Sequence, residues 1–234
     1  MIRMTIHLLY CQFRQWRAKK NIWVFWMLIL LLADLYLRPT RRLINLLGVS
    51  PDTTVFPLIW NNTFFLMLFY FGVILYFSDV PFQNTMSQFL LIRCGKYRYA
   101  CSHILYIFCS GVIISGLFFL IQWAMLPAPF FGSWGKFWGT VAQTSVAYEV
   151  GSGIEFQYHI LWDFTPEEAL AISFVVSILL NVLSGLFLYF CSLFGQKTTG
   201  MCIVAVFAVL PHIVSWLDFT TFYWFSPYSW LCLD

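Results

Sequence analysis

The sequence predicts an all-α polytopic membrane protein with about five to six transmembrane helices and an amphipathic interfacial helix at its N-terminus. Three observations predict it. Of 234 residues, 61% are hydrophobic and 10% are charged, against about 25% charged in a soluble domain, and the mean hydropathy is +0.78. So few charges cannot cover a water-soluble surface. Apolar runs recur at 21–37, 57–77, 104–126, 169–194 and 200–217, each near the roughly 20 residues that cross a hydrocarbon layer at about 1.5 Å per residue. Lys and Arg, finally, are bunched in alternate connections. The net charge of +3 therefore speaks to orientation in a membrane, and no nucleic-acid role is expected.

Residues 1–20 come first. Ile2, Ile6, Leu9, Phe13 and Trp16 follow one another at intervals of four and three, with Arg3, His7 and Arg14 opposite. This pattern suits a helix lying in the headgroup layer, with a juxtamembrane tail carrying basic anchors as the less favoured reading. No small-residue cleavage site follows, so the run from residue 21 to Leu-Arg-Pro at 37–39 reads as a retained first span. With the N-terminus inside, nine Lys and Arg lie in inner segments and four in outer ones, which favours a cytoplasmic N-terminus. Arg38, Arg41 and Arg42, beyond the first span, run against that rule.

The second and third spans are joined within residues 78–103. Ser78 or Asp79 can cap a short helix there, Pro81 suits its first turn, and Gly95 with Lys96 ends it. Phe82, Phe89 and Ile92 would be its apolar knobs. Such a helix can dock into a groove on another protein or simply anchor the loop at the membrane surface. The long connection 127–168 holds Glu149, Glu155, Asp163, Glu167 and Glu168 against a single Lys136, and lies outside on this orientation. Thr165, Pro166 and Glu168 spell a capping box that opens the fourth span. The closing stretch 218–234 is aromatic, broken by Pro227 and too short to cross, so it is expected in the interface. Residues 1–234 form one transmembrane domain.

The loop pattern Asp-x-Pro-Phe at 79–82, followed by Gln-x-Leu-Leu-x-Arg-x-Gly-Lys at 88–96, behind a basic N-terminal helix and two spans, resembles permease subunits of bacterial ATP-binding cassette transporters of the type 2 exporter class. The stretch Trp-Phe-Ser-Pro-Tyr-Ser-Trp at 224–230 is similar to the Ser-Pro-x-Ser-Trp that often precedes their last helix. The resemblance implies a multi-pass protein of the bacterial plasma membrane, a second permease copy or homologue, and separate ATP-binding subunits that carry ATP and Mg. It assigns 79–98 to a coupling helix on the ATPase, with Asp79, Phe82, Phe89, Arg93, Lys96 and Arg98 as the contact residues. Members of that class continue into a sixth helix, which here would fall beyond Asp234.

Intrinsic catalysis has little to stand on. No phosphate loop occurs, since Gly195-Gln196-Lys197-Thr198 lacks the spacing and the glycine before the lysine. HExxH is absent, and His7, His103, His159 and His212 lack ligand spacing, so neither a metal nor a cofactor in this chain is expected. The seven cysteines include no CxxC pair, which argues against a disulfide framework. Glu167-Glu168 lacks the arginine and histidine motifs that accompany paired glutamates in intramembrane proteases. Asn61-Asn62-Thr63 matches a glycosylation sequon but abuts the second span.

Inside the spans, Ser173, Ser177, Asn181 and Ser184 make one polar stripe on the fourth, with Gly185 beside it, and Gly111 and Ser115 form a weaker pair on the third. The stripe is either a packing face or the lining of a path between permease halves. Asp34 can pair with Arg38 one turn on, and His212 can satisfy carbonyls opened by Pro211. The resemblance thus implies a non-enzymatic permease subunit of an ATP-driven exporter, with a peptide, lipid-like or drug-like substrate. The alternative is a membrane scaffold or immunity protein that binds a partner through 127–168.

Overall fold

The computed structural model describes residues 2–81, 85–129, 132–144, 159–217 and 225–233, with the side chains of 2, 3, 17, 18, 85–88 and 90 left undescribed. Among these residues every regular element is helical. In chain order they are α1 (Ile2–Arg14), a 3-10 turn (Gln15–Ala18), α2 (Lys20–Leu47), α3 (Phe56–Ile59), α4 (Thr63–Phe77), α5 (Thr85–Cys94), α6 (Lys96–Met125), α7 (Gly135–Gln143), α8 (Ile160–Asp163), α9 (Pro166–Leu193), α10 (Lys197–Leu217) and a final 3-10 turn (Pro227–Leu231). Four of them, α2, α6, α9 and α10, are long and apolar enough to cross a membrane, while α4 is a shorter apolar helix. Composition is arranged inside out: Met27, Leu31, Val206 and Trp216 stand exposed, whereas Ser110, Ser115, Ser177 and Asn181 are wholly buried. That is the arrangement of an α-helical membrane protein, whose apolar exterior meets lipid and whose polar groups pair within the bundle.

Side-chain pairings fix the path of the chain. Asn21, at the start of α2, bonds Ser78 just past the end of α4, so these two helices are antiparallel. Ser115 of α6 meets Ser177 of α9, and the ring of His103 stacks on that of Tyr189, so α6 and α9 are antiparallel as well. Thr63 of α4 meets His212 of α10, while Lys197 of α10 reaches Asp79. Five helices therefore alternate in direction, with residues 20, 79 and 197 at one end and residues 47, 63, 125 and 166 towards the other. At the centre α4 sits among α2, α9 and α10; Phe65, Leu66, Tyr70 and Val73 are completely buried.

Several elements depart from the sequence expectation. The first span was expected to stop at Leu37-Arg38-Pro39, but α2 continues through Pro39 to Leu47 and ends at Gly48, φ +64. Its distal turns carry the arginines that ran against the charge rule. There Arg41 donates from Nε and a terminal nitrogen to the Met125 carbonyl at 3.0 and 2.7 Å, capping α6, whose last carbonyls have no helical partner. Arg38 pairs with Asp34 on the same helix face. The apolar run 57–77 is not one helix: α3 ends at Ile59, and Asn62 restarts the chain by accepting from the Phe65 N–H at 2.8 Å, as an N-cap does. The expected capping box at the start of α9 is present, with Thr165 and Glu168 bonded in both directions.

The N-terminal face is also divided differently. Leu8 and Gln12 are buried on α1 while Ile6 and Tyr10 are exposed. Gln12 donates to Ser102 at 3.2 Å and Trp16 to the Tyr106 hydroxyl at 2.9 Å, so α1 is fastened along the first turns of α6. Leu9, Phe13 and Trp16 are shared between that contact and the edge of the core.

Candidate functional site

Three places carry the residues singled out by sequence. The first is α5 at the end of the bundle that holds the N-terminus. Gly95, at φ +82, takes a backbone conformation costly for residues with a Cβ and turns the chain from α5 directly into α6. Phe89, Ile92 and Tyr97 are 67%, 80% and 93% exposed. Arg93 and Lys96 are exposed beside them and Arg98 is half-buried, its guanidinium 3.8 Å from the Met4 sulfur. Large apolar side chains and cations thus stand exposed together on the end of α5 and the first turn of α6. Phe82 lies outside the described residues.

Asp79 is placed otherwise than expected. Among the described residues α5 begins at Thr85, six residues after Asp79, and the side chains of Ser78 and Asp79 are engaged elsewhere. Both side chains turn back to the bundle. Asn21 Nδ2 donates to Ser78 Oγ at 3.1 Å and to Asp79 Oδ2 at 3.4 Å. Lys19 lies 3.4 Å from Asp79 Oδ2 and Lys197 lies 3.7 Å from Oδ1. The carboxylate is drawn there because α2 and α10 both begin at this point, and helix N-termini favour negative charge.

The second place is the polar stripe. Ser173, Ser177, Asn181 and Ser184 are all buried, at most 2% exposed. Ser177 bonds Ser115 at 3.0 Å, and Asn181 Nδ2 donates to Ser115 at 2.9 Å. Gly111 brings α6 so close that a Cβ there would sit 2.7 Å from Val182 Cγ2. As folded here, Ser177 and Asn181 form a seam between α9 and α6, and all four residues of the stripe are enclosed within the chain.

Sequence reasoning missed what covers Ser184. Its hydroxyl lies 2.7 Å from the Tyr228 hydroxyl, inside the turn expected to lie flat in the interface. In the described part of that segment Tyr228, Ser229 and Leu231 are buried. Ser226 donates to the Phe207 carbonyl at 2.8 Å, Asn61 Oδ1 accepts from the Leu233 N–H at 3.0 Å, and the rings of Tyr70 and Tyr228 are 4.0 Å apart. Irregular backbone is tolerated at such depth where protein surrounds it. Ser-Pro beside an aromatic run signals a turn; nothing local says that the turn enters the bundle. Beside it Leu183, Phe187, Val204 and Phe207 line a cavity of about 110 Å³, small against the roughly 300 Å³ and more of a ligand pocket.

The third place is the opposite end. Trp138 donates to the Thr53 carbonyl at 3.2 Å and Trp134 to the Phe164 carbonyl at 2.8 Å, which packs α7 over the connection between α2 and α4. Glu149 and Glu155 lie outside the described residues. Among the described residues no three His, Cys, Asp or Glu side chains gather as a metal-holding group. The chain matches no protein-family model, no curated protein and no solved structure.

Proposed function

We propose that this chain is a permease subunit of an ATP-driven exporter of the bacterial plasma membrane, with its N-terminus in the cytoplasm and ATP hydrolysis supplied by a separate subunit docked on α5. The observation that carries the reading is the bare face of α5. Phe89 and Ile92 are more exposed than a short loop helix would leave them without a partner, and Arg93 and Lys96 flank them. Aromatic and arginine side chains are the usual anchors of such docking. The resemblance of 79–96 to coupling loops points the same way, as does the excess of Lys and Arg at this end. On this reading α2, α4, α6, α9 and α10 are the five spans, α1 rests at the inner headgroups with Ile6 and Tyr10 towards lipid, and a second permease copy completes the path. The substrate is a peptide, a lipid-like molecule or a drug-like molecule.

The test is co-purification of the tagged chain with the products of neighbouring genes, followed by an ATPase assay. A stoichiometric subunit bearing a phosphate loop is expected, and Phe89→Asp should release it. Since Phe89 is exposed, the bundle should fold unchanged, while loss of an aromatic anchor worth about 2 kcal/mol would weaken docking roughly 30-fold. A chain that purifies alone, or with a non-ATPase partner held by residues 127–168, refutes the reading and favours a scaffold or immunity role.

A further inference from the structure

Asp79 sits where the chain leaves α4 for α5, and its side chain is engaged from two other helices. Lys19 and Asn21 approach Oδ2 from the start of α2, and Lys197 approaches Oδ1 from the first residue of α10. Ser78 adds a second bond to Asn21. The Asp79 side chain is 29% exposed, and those of Lys19 and Lys197 are 31% and 45% exposed. One negative charge thus stands between two positive ones at the positive ends of two helices.

We infer that Asp79 is a positioning residue, a clasp that holds the first turns of α2 and α10 against the end of α4 and passes displacement of α5 to both. The clasp stands on the geometry alone; the displacement rests on the transporter reading. At this end α2, α4 and α10 meet at one carboxylate, in addition to the packing that holds α4 among them deeper in the bundle. An electrostatic joint at the surface opens under a modest load, whereas close-packed helices move as a unit. Removing the carboxylate does more than delete two ion pairs, because it also takes away an acceptor of Asn21.

Trypsin reads the clasp directly, because Lys19, Lys20 and Lys197 are cleavage sites within it, while Lys96 and Lys136 lie outside it. In the purified full chain, Asp79→Asn should raise cleavage at Lys19, Lys20 and Lys197 about five-fold or more, with Lys96 and Lys136 unchanged. High salt should do the same to the parent. Asp79→Glu should keep the protection, and Lys197→Gln should raise cleavage at Lys19 and Lys20 by a smaller factor. Equal rates in parent and Asp79→Asn would overturn the clasp. In the complex with its ATPase, ATP should alter cleavage at these sites in the parent, and Asp79→Asn should abolish that response while retaining the bound subunit. Loss of the subunit would make Asp79 a docking contact and overturn the positioning role. If no ATPase co-purifies, the transporter reading and the transmission role fail, and the cleavage rates still decide the clasp.

Discussion

Gly111 and Gly116 lie on the same helix, and the same substitution should move stability in opposite directions at the two sites. In a helix interior, alanine is favoured over glycine by about 0.5 to 1 kcal/mol, because the unfolded glycine has more freedom to lose. At Gly116 a Cβ meets nothing within 4 Å, so Gly116→Ala should realise that gain. At Gly111 the Cβ would lie 2.7 Å from Val182 Cγ2, with the Val182 nitrogen at 3.4 Å and the Ile178 carbonyl oxygen at 3.5 Å. Carbon atoms prefer about 3.5 to 4.0 Å, and a β-branched side chain in a helix cannot swing aside. The helices must part instead, which strains the Ser115–Ser177 and Asn181–Ser115 bonds one turn away. Overpacking of this kind costs about 1 to 3 kcal/mol, leaving Gly111→Ala a net loss of up to about 2.5 kcal/mol after the alanine gain. The assay is the fraction of monodisperse protein remaining on gel filtration after graded heating in detergent. Gly116→Ala should move the midpoint up, Gly111→Ala down, and Gly111→Ala with Val182→Ala should recover most of the loss. Equal shifts at the two glycines, or no recovery in the double variant, would refute the close approach of α6 and α9.

Two further substitutions test contacts between distant parts of the chain. Arg41→Gln should lower thermal stability by about 1.5 to 3 kcal/mol, the range for hydrogen bonds to a charged group, since it strips both bonds from the Met125 carbonyl; Arg38→Gln, whose partner Asp34 is on the same exposed helix face, should leave the melting curve unchanged, and equal effects would count against the cap. Tyr228→Phe should cost about 0.6 to 1.7 kcal/mol, as interhelical hydroxyl bonds do in membrane proteins, and should speed proteolysis within residues 225–233. Ser184 keeps its bond to the Leu180 carbonyl, so a larger loss would mean that Tyr228 holds more than this one hydroxyl.

Some of the site could be read in the linear order of residues. The stripe at 173, 177, 181 and 184 was visible because helical periodicity alone puts those side chains on one face, and from it Ser177 and Asn181 bond Ser115 of α6. The start of α9 was visible because Thr165, Pro166 and Glu168 act within one turn of each other. The break at Asn62 could have been read too, since Asn-Asn-Thr stands directly before an apolar run and asparagine is a strong N-cap. Asp79 was the converse case: its local setting suggested a helix cap, and its side chain meets Lys19, Asn21 and Lys197 at the starts of two distant helices.

Composition, hydropathy and local capping thus determined that this is a bundle of apolar helices, roughly where the long ones run, and that polar groups line a single face of the fourth. Those properties depend on each residue and its neighbours within a turn or two, and an apolar exterior needs no particular partner. Only the tertiary structure decided that Arg41 closes α6, that Asp79 joins α2 and α10, that Gln12 fastens α1 to α6, and that Tyr228 enters the bundle to meet Ser184. Each of these is a polar side chain with many chemically equivalent partners along the chain, and the choice among them is made by which helices the packing of large buried groups brings within about 3 Å.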